Sequence, residues 1–272
     1  MRLHRTGLLI IATAALGLSA PTAQADTQYG GVAALRNSPA GPSTTLVRHD
    51  DGRITARLGF GYTCRKQSYY NYVVKLKGST PDGVNFTAAG KQRLPGRGTL
   101  RFSISGTLAP DSAAGTLKMG MARCPKYTRD LVLRTESAPA GAPAAPPAAS
   151  LFTGMTGQSA AGIRLAVALR VTKQGRVWST WAAMMKCGPK FTSHLINTTP
   201  TTTIKPDGSF SRSETYTVRW DDGTRERYRV SFKGRFTADG AAGTLRARSQ
   251  LRKKGHRYYP CDSGVQTWAA RM

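Results

Sequence analysis

Apolar and polar residues alternate with a period of two along much of the chain. The alternation is clearest in segments 54–64, 163–171 and 228–232, where every second position carries an apolar side chain. A period of two over such lengths is typical of half-buried antiparallel strands. Turn signals such as Asp82-Gly83 separate these segments. No segment has a clear amphipathic helical pattern, so the sequence predicts an all-β protein.

The same series of residues occurs twice. Gly52 stands twelve residues before Cys64, and Gly175 stands twelve residues before Cys187. The later anchor points follow in the same order in both halves: Gly106-Thr107-Leu108, Gly115-Thr116-Leu117, Cys124, Leu131 and Arg134 in the first, and Gly234-Arg235-Phe236, Gly243-Thr244-Leu245, Cys261, Trp268 and Arg271 in the second. A match at five ordered points indicates a tandem repeat.

The repeat divides the chain into two domains, residues 26–136 and 151–272. About seven short strands in each predict two tandem small antiparallel β-sandwich or barrel-like domains. Segment 137–150 between them is rich in Pro and Ala and carries no charge. Its four prolines favour polyproline II, so we expect a linker with a reach of about 40 Å when extended.

Residues 1–25 have the composition of a secretory signal peptide. Arg2 and Arg5 precede a short apolar run from Leu8 to Leu18, and Ala23-Gln24-Ala25 matches the small-residue pattern at a cleavage site. The run is shorter than the roughly 17–25 residues of a membrane span, and no later segment is sufficiently apolar. We expect a secreted protein, cleaved after Ala25, with no integral membrane span.

Export determines how the four cysteines are interpreted. In an oxidising compartment an even number of cysteines predicts disulfides, and four allow three pairings. The repeat selects Cys64–Cys124 and Cys187–Cys261, one disulfide in each domain. Neither a C-x-x-C motif nor a His at ligand spacing from a Cys is present, which argues against a metal site.

The second half of the chain resembles a known family in several short motifs. These are Gly234-Arg235-Phe236, the run Asp239–Leu245, Cys261-Asp262-Ser263-Gly264 and Trp268-Ala269-Ala270-Arg271. They are similar to a repeated β-domain of exported proteins from actinobacteria and other high-GC bacteria, a family with no assigned activity. The first copy departs from it, since Asp111-Ser112 replaces Asp-Gly. The resemblance implies export, β structure and the disulfide, and it implies no catalytic residue.

Motifs of known enzymes are missing from the sequence. It contains no G-x-S-x-G, H-E-x-x-H, Walker or dinucleotide-binding motif. We interpret His49, His194 and His256 as solvated loop residues. Seven of the 14 acidic residues lie in turns with glycine, where they bond to local backbone; the doublets Asp50-Asp51 and Asp221-Asp222 are alternatively weak calcium ligands. We therefore expect no enzyme activity, no cofactor and no bound metal.

The net charge of the chain points to a binding function. The chain has 40 Lys and Arg against 14 Asp and Glu, a net charge of +26, while its 40% hydrophobic content argues that it folds. In residues 151–272, 21 basic residues face seven acidic ones. Tyr228, Val230 and Phe232 are predicted to point inward, which directs the opposite parity outward. The resulting candidate anion-binding residues are Arg225, Arg227, Arg229, Lys233, Arg235, Arg246, Arg248 and Arg252.

Two cationic rows side by side favour an anionic partner, because like charges on paired strands repel. Arginine suits phosphate or sulfate since its fork binds two oxygens. The alternative is a solvated face produced by compositional bias. A second candidate surface consists of tyrosines near basic residues: Tyr62, Tyr69, Tyr70, Tyr72, Tyr258 and Tyr259.

These observations predict a secreted, non-catalytic protein that binds anionic polymers or acidic surfaces, such as a wall polymer, an acidic glycan or nucleic acid. A protein-interaction, inhibitor or adhesion module is the alternative and would contact its partner through strand edges or loops. A hydrolase without a recognised motif is a third possibility. The sequence leaves the oligomeric state open.

Overall fold

The computed structural model describes residues 26–34, 41–64, 67–94, 96, 98–189, 191–219, 223–252 and 258–272, with side chains described throughout except at 67–70. The predicted signal peptide, residues 1–25, lies outside these ranges. Every regular element in the described ranges is a β-strand. The prediction of an all-β protein is therefore confirmed.

The first eight strands form a closed antiparallel barrel, called here the first barrel. Each strand pairs with the next along the chain, and the last pairs with the first. The strands are β1 (Thr27–Ala34), β2 (Ser43–Arg48), β3 (Arg53–Cys64), β4 (Gln67–Ser79), β5 (Asn85–Leu94), β6 (Gly98–Leu108), β7 (Ser112–Gly120) and β8 (Tyr127–Thr135). Alternate apolar residues fill its interior, among them Leu58, Phe60 and Phe102.

The remaining strands form the second barrel. They are β9 (Leu151–Ala160), β10 (Ile163–Val171), β11 (Arg176–Cys187), β12 (Phe191–Thr203), β13 (Ser209–Arg219), β14 (Arg225–Phe236), β15 (Gly240–Arg252), β16 (Cys261–Asp262) and β17 (Gln266–Arg271). Their order is β12-β11-β10-β9-β17-β15-β14-β13. The short strand β16 pairs with both β11 and β15, which closes a ring of six strands from β9, β10, β11, β16, β15 and β17.

The strand pairs β6–β7 and β14–β15 have the same register at their glycines. Gly106 pairs with Gly115 across β6 and β7, and Gly234 pairs with Gly243 across β14 and β15. The corresponding glycines of the two halves are thus direct cross-strand neighbours in both barrels. Of the two predicted architectures, the barrel is the one observed: the first barrel closes through β1 and β8, and the second closes through β16.

The disulfides join Cys64 to Cys124 and Cys187 to Cys261. Both are the predicted pairs. Each connects the end of a long strand, β3 or β11, to the segment that follows β7 or β15. In the second barrel this position coincides with β16, since Cys261 pairs with Cys187 and with Ser249.

The barrels pack against each other through β1, β2, β9 and β10, where consecutive residues are buried on both strand faces. A Cβ on Gly30 would overlap Met155 and the backbone of Gly154, so only glycine permits this approach. The Gln28 amide donates to Gly162 O at 2.9 Å, and Thr45 Oγ1 donates to Arg164 O at 2.7 Å. The two predicted domains are therefore in direct contact with each other.

The linker is in contact with the second barrel. The backbone amides of Ala140 and Gly141 donate to the carboxylate of Asp239 at 3.1 and 3.0 Å, and Pro143 forms a β-bridge with Thr237. The Thr237 hydroxyl donates to the same carboxylate at 2.8 Å. This bond is the largest cause that holds the pKa of Asp239 near 2, and the two backbone amides lower that pKa further. The expected extended spacer is thus observed as a strap along the β14–β15 turn.

Candidate anion-binding face

The outward side chains of β13, β14 and β15 form a continuous basic face. In β14, Tyr228, Val230 and Phe232 are buried, as the alternation predicts. The opposite parity points outward and carries the row Arg225, Arg227, Arg229, Ser231, Lys233 and Arg235. In β15 the outward positions include Arg246, Arg248 and Arg252. The structure therefore brings all eight predicted residues to one face of one sheet.

Strand pairing places cations directly opposite each other. Arg225 lies opposite Arg252, and Arg229 lies opposite Arg248. The third cation of β15, Arg246, lies opposite Ser231. Directly paired residues have Cβ atoms about 4.5–5.5 Å apart, so each Arg–Arg pair is repulsive unless an anion lies between the guanidinium groups.

Strand β13 adds hydroxyl groups that the sequence analysis missed. Thr215 lies opposite Arg229, Thr217 lies opposite Arg227, and Ser213 lies opposite Ser231. All three are exposed. Their signal is visible in the sequence as Ser or Thr at every second position from 209 to 217. Hydroxyls donate hydrogen bonds to anionic oxygens without adding charge.

A groove of about 380 Å³ lies on this face. We call it the second groove because it lies on the second barrel. It is lined by Ser213, Glu214, Thr215, Arg229, Val230, Ser231, Arg246 and Arg248. Three guanidinium groups and three hydroxyls thus surround a space large enough for a phosphate or sulfate group.

Asp262 is an acidic partner at the rim of this groove. Its carboxylate accepts hydrogen bonds from Arg246 at 2.6 and 3.0 Å and from Arg248 at 3.1 Å. The hydrogen bond from Arg246 is the largest cause that lowers the pKa of Asp262. The amide of Gly264 also donates to this carboxylate, at 2.8 Å. Two of the eight predicted residues are therefore already paired with one internal anion.

Asp207 pairs with a third predicted residue. Its carboxylate accepts from Arg235 Nη2 at 3.1 Å, and the hydroxyl and amide of Ser209 also donate to it. Among the described residues no acidic side chain pairs with the other five predicted cations, Arg225, Arg227, Arg229, Lys233 and Arg252. Asp221 and Asp222, in the β13–β14 loop, lie outside the described ranges.

Two glutamates have the opposite parity on these strands, and one of them, Glu214, also lines the second groove. Glu226 is buried and bonds to the Tyr228 hydroxyl; burial raises the pKa of Tyr228, and the bond to Glu226 raises it further. Burial also raises the pKa of Glu214. Glu226 lies opposite Val218, four residues from Glu214 along β13.

The histidine prediction was wrong for His194, whereas His49 lies in the loop after β2 as predicted, with its side chain 18% exposed. His49 is bonded through both ring nitrogens, to Asp26 at 2.8 Å and to Thr55 at 3.0 Å. His194 lies in β12 at the contact with the first barrel, and neither ring nitrogen has a hydrogen-bond partner. Burial, assisted by the nearby charge of Arg57, lowers the pKa of His194 to about 3. His256 lies outside the described ranges.

The tyrosine surface is largely absent where side chains are described. Tyr62 is buried in the first barrel, and its hydroxyl donates to Pro125 O at 2.6 Å. Tyr72 packs against Phe60 in the same core. Of the other described tyrosines of this set, Tyr259 is exposed. The side chains of Tyr69 and Tyr70 are not among those described.

The turn aspartates behave as predicted where they are described. Asp82 accepts from the amides of Val84 and Asn85 and from the Asn85 side chain, and the Asn85 side chain is the largest cause that holds the pKa of Asp82 near 2. Asp51 accepts from the amide of Arg53. In the described ranges no group of three or more His, Cys, Asp or Glu side chains is arranged to hold a metal ion.

Comparisons with known proteins provide no family. No family model matches the chain, and no curated protein matches it. Two solved structures align over most of its length. One is described as a "putative outer membrane protein" of Bacteroides fragilis, with 10% identity, a TM-score of 0.26, and coverage of 92% of this chain and 98% of the other. The second is a protein of unknown function from the DUF3598 family of Nostoc punctiforme, with 7% identity, a TM-score of 0.20, and coverage of 90% and 94%.

Across the described part of the chain, no helix has the length and apolar character needed to cross a membrane.

Proposed function

We propose that this protein binds phosphate- or sulfate-bearing polymers through the basic face of β13, β14 and β15, without catalysis. The observation that carries the proposal is the pairing of Arg229 with Arg248 beside Ser231 and Arg246, around one groove. A repulsive arrangement of this kind is relieved by an anion. Guanidinium forks bind two oxygens of such an anion at once.

The shape of the face favours a polymer over a small ion. The outward row of β14 runs from Arg225 to Arg235, which is about 34 Å of antiparallel strand. Cations repeat along it at every second residue, apart from Ser231 at the groove. A chain with anionic groups at regular intervals can contact many of them together, so wall polymers, acidic glycans and nucleic acids are the ligand classes we propose.

Export supports the same proposal. Two disulfides are typical of an extracellular or otherwise oxidising compartment. We propose that residues 1–25 are a signal peptide cleaved after Ala25, and that the chain belongs with the repeated exported β-domains that residues 234–271 resemble. Phosphate- and sulfate-bearing polymers outside the cell are the ligands that we propose for the basic face.

The proposal is tested with long-chain inorganic polyphosphate and two matched variants. R227S/R229S removes two cations from the basic face, while K173S/R176S removes two exposed cations at the β10–β11 turn. We expect R227S/R229S to bind polyphosphate at least tenfold more weakly at low salt, and K173S/R176S to bind within about twofold of the wild type. Equal affinities for the two variants would refute the proposal.

A protein-interaction module is the second candidate, and one observation favours it. Strands β12 and β13 stand at the two ends of the strand order, so within the described ranges each has one edge without a ladder partner. Such edges accept an added strand from another chain. A protein partner whose binding survives high salt, and is unaffected in R227S/R229S, would favour this candidate over polymer binding.

A further inference from the structure

The first barrel contains a groove in the same place as the second groove. It has a volume of about 1100 Å³ and lies on the outward face of β5, β6 and β7, extending to β8. We call it the first groove. None of the eight anion-binding residues predicted from the sequence lies in this groove.

The shared register makes the two grooves comparable residue by residue. Counting from the paired glycines, Arg101 of β6 corresponds to Arg229 of β14, and Ser103 corresponds to Ser231. Lys118 lies opposite Ser103, as Arg246 lies opposite Ser231. All eight residues that line the second groove have counterparts lining the first: Ala89, Gly90, Lys91, Arg101, Phe102, Ser103, Lys118 and Gly120.

Where the two copies differ, the first groove keeps its positive charge. Lys91 stands at the position of Thr215, opposite Arg101. Gly120 stands at the position of Arg248 and has no side chain. The side chain of Lys126 lies over this glycine, since its Cγ would be 2.8 Å from a Cβ on Gly120. The groove is thus lined by four exposed cations, Lys91, Arg101, Lys118 and Lys126.

The first groove also lacks the internal anion of the second. Cys261 is followed by Asp262, which binds Arg246 and Arg248, whereas Cys124 is followed by Pro125. Among the described residues no acidic side chain forms an ion pair with the four cations of the first groove. The nearest acidic position on the face is Asp130, opposite Thr116 and one pleat from Lys118.

We infer that the first groove is a second binding site for the same class of phosphate or sulfate groups, which makes the protein bivalent for an anionic polymer. The inference rests on the proposed function and extends it to the first barrel. Two sites on one chain convert the second contact into an intramolecular step, which raises the affinity for a long polymer well above that for a short one.

Calorimetric titration with tripolyphosphate at low salt tests this inference, since so short an anion reports each groove separately. We expect two tripolyphosphates per chain in the wild type and in K173S/R176S, and one in R101S/K118S and in R229S/R246S. Circular dichroism confirms that each variant folds. Hydrogen exchange locates the remaining site on β6 and β7 or on β14 and β15.

The outcomes separate the two proposals. One site that R229S/R246S removes and R101S/K118S leaves intact would overturn the inference and leave the proposed function standing. One site that R101S/K118S alone removes would support the first groove and refute the basic face of the second barrel. No binding in the wild type, or two sites that neither variant alters, would refute both.

Discussion

The carboxylate of Asp262 accepts bidentate hydrogen bonds from the guanidinium of Arg246. Its Oδ2 lies 2.6 Å from Nη2, and its Oδ1 lies 3.0 Å from Nε. The same Oδ2 accepts from Arg248 at 3.1 Å. This is the geometry in which arginine binds a phosphate or sulfate group. The carboxylate oxygens of Asp262 therefore occupy positions for which an external ligand of the second groove would compete.

Replacing Asp262 tests this competition. D262N keeps the shape of the side chain and removes its charge, so we expect the second groove to bind tripolyphosphate about two- to fivefold more tightly. The measurement is a calorimetric titration in the R101S/K118S background, where only the second groove remains. D207N is the matched control, because Asp207 pairs with Arg235 outside the groove.

An unchanged or weaker affinity in D262N would show that Asp262 positions the two arginines and does not compete with the ligand. The Gly264 amide bond to Oδ1 is available to the asparagine as well, which limits disturbance of the local loop. A similar gain in D207N would attribute the effect to net charge alone.

His194 is expected to make stability depend on pH. Its folded pKa of about 3 lies below the ordinary value of 6.5, because burial and the charge of Arg57 disfavour the protonated ring. The unfolded state then binds one more proton than the folded state between these values. Stability from this group is present above about pH 6.5 and is lost as the pH falls toward 3, by about 1.4 kcal/mol per pH unit at most.

The measurement is the free energy of unfolding of wild type and H194Q from pH 7 to pH 4. We expect the wild type to lose stability more steeply than the variant. Asp82 and Asp239 also lose stabilising bonds in acid, but both titrate equally in the two proteins. Parallel curves would contradict the account of a neutral His194 at the contact between the barrels.

The Cys187–Cys261 disulfide holds β16 between β11 and β15 and so closes the second barrel's ring. Closing a loop with a sequence separation of 74 is worth about 4 kcal/mol in the chain-entropy model. We expect C187S/C261S to lose stability of that size in denaturant unfolding, with faster hydrogen exchange at β16 and its neighbours.

C64S/C124S is the comparison, since its loop has a separation of 60 and the first barrel closes through β1 and β8. We expect a similar loss of stability there, without faster exchange at the barrel closure. A loss below about 1 kcal/mol in C187S/C261S would contradict the role assigned to this bond.

Much of the fold could be predicted from local pattern. The period of two in segments such as 54–64 fixes which side chains face the core, and the repeat fixes the cysteine pairs. Trp181 and Trp268 likewise lie on the apolar parity of β11 and β17, and both are buried. These properties depend on neighbours along the chain or on a repeated register, and both are readable in the sequence.

Contacts between segments that are distant in the chain could not be predicted from the local sequence pattern. The burial of His194 and the close approach at Gly30 arise because two barrels pack together, and neither residue carries a local signal for that. Likewise the pairing of Asp262 with Arg246 and Arg248 depends on β16 lying beside β15. The outward row of cations on β14 could be predicted from the alternation. The pairing of cations on β14 and β15 with Asp207 and Asp262 could not.

The central claim is that the basic face binds phosphate-bearing polymers, and the most direct test is the salt dependence of polyphosphate affinity. Binding that neutralises phosphates releases counterions, so the logarithm of the association constant falls linearly with the logarithm of salt concentration. We predict a steep slope for the wild type and K173S/R176S, and a slope shallower by roughly 0.7 for every phosphate group that R227S/R229S no longer neutralises. The same slope in all three proteins, or an affinity that does not respond to salt, would contradict the account.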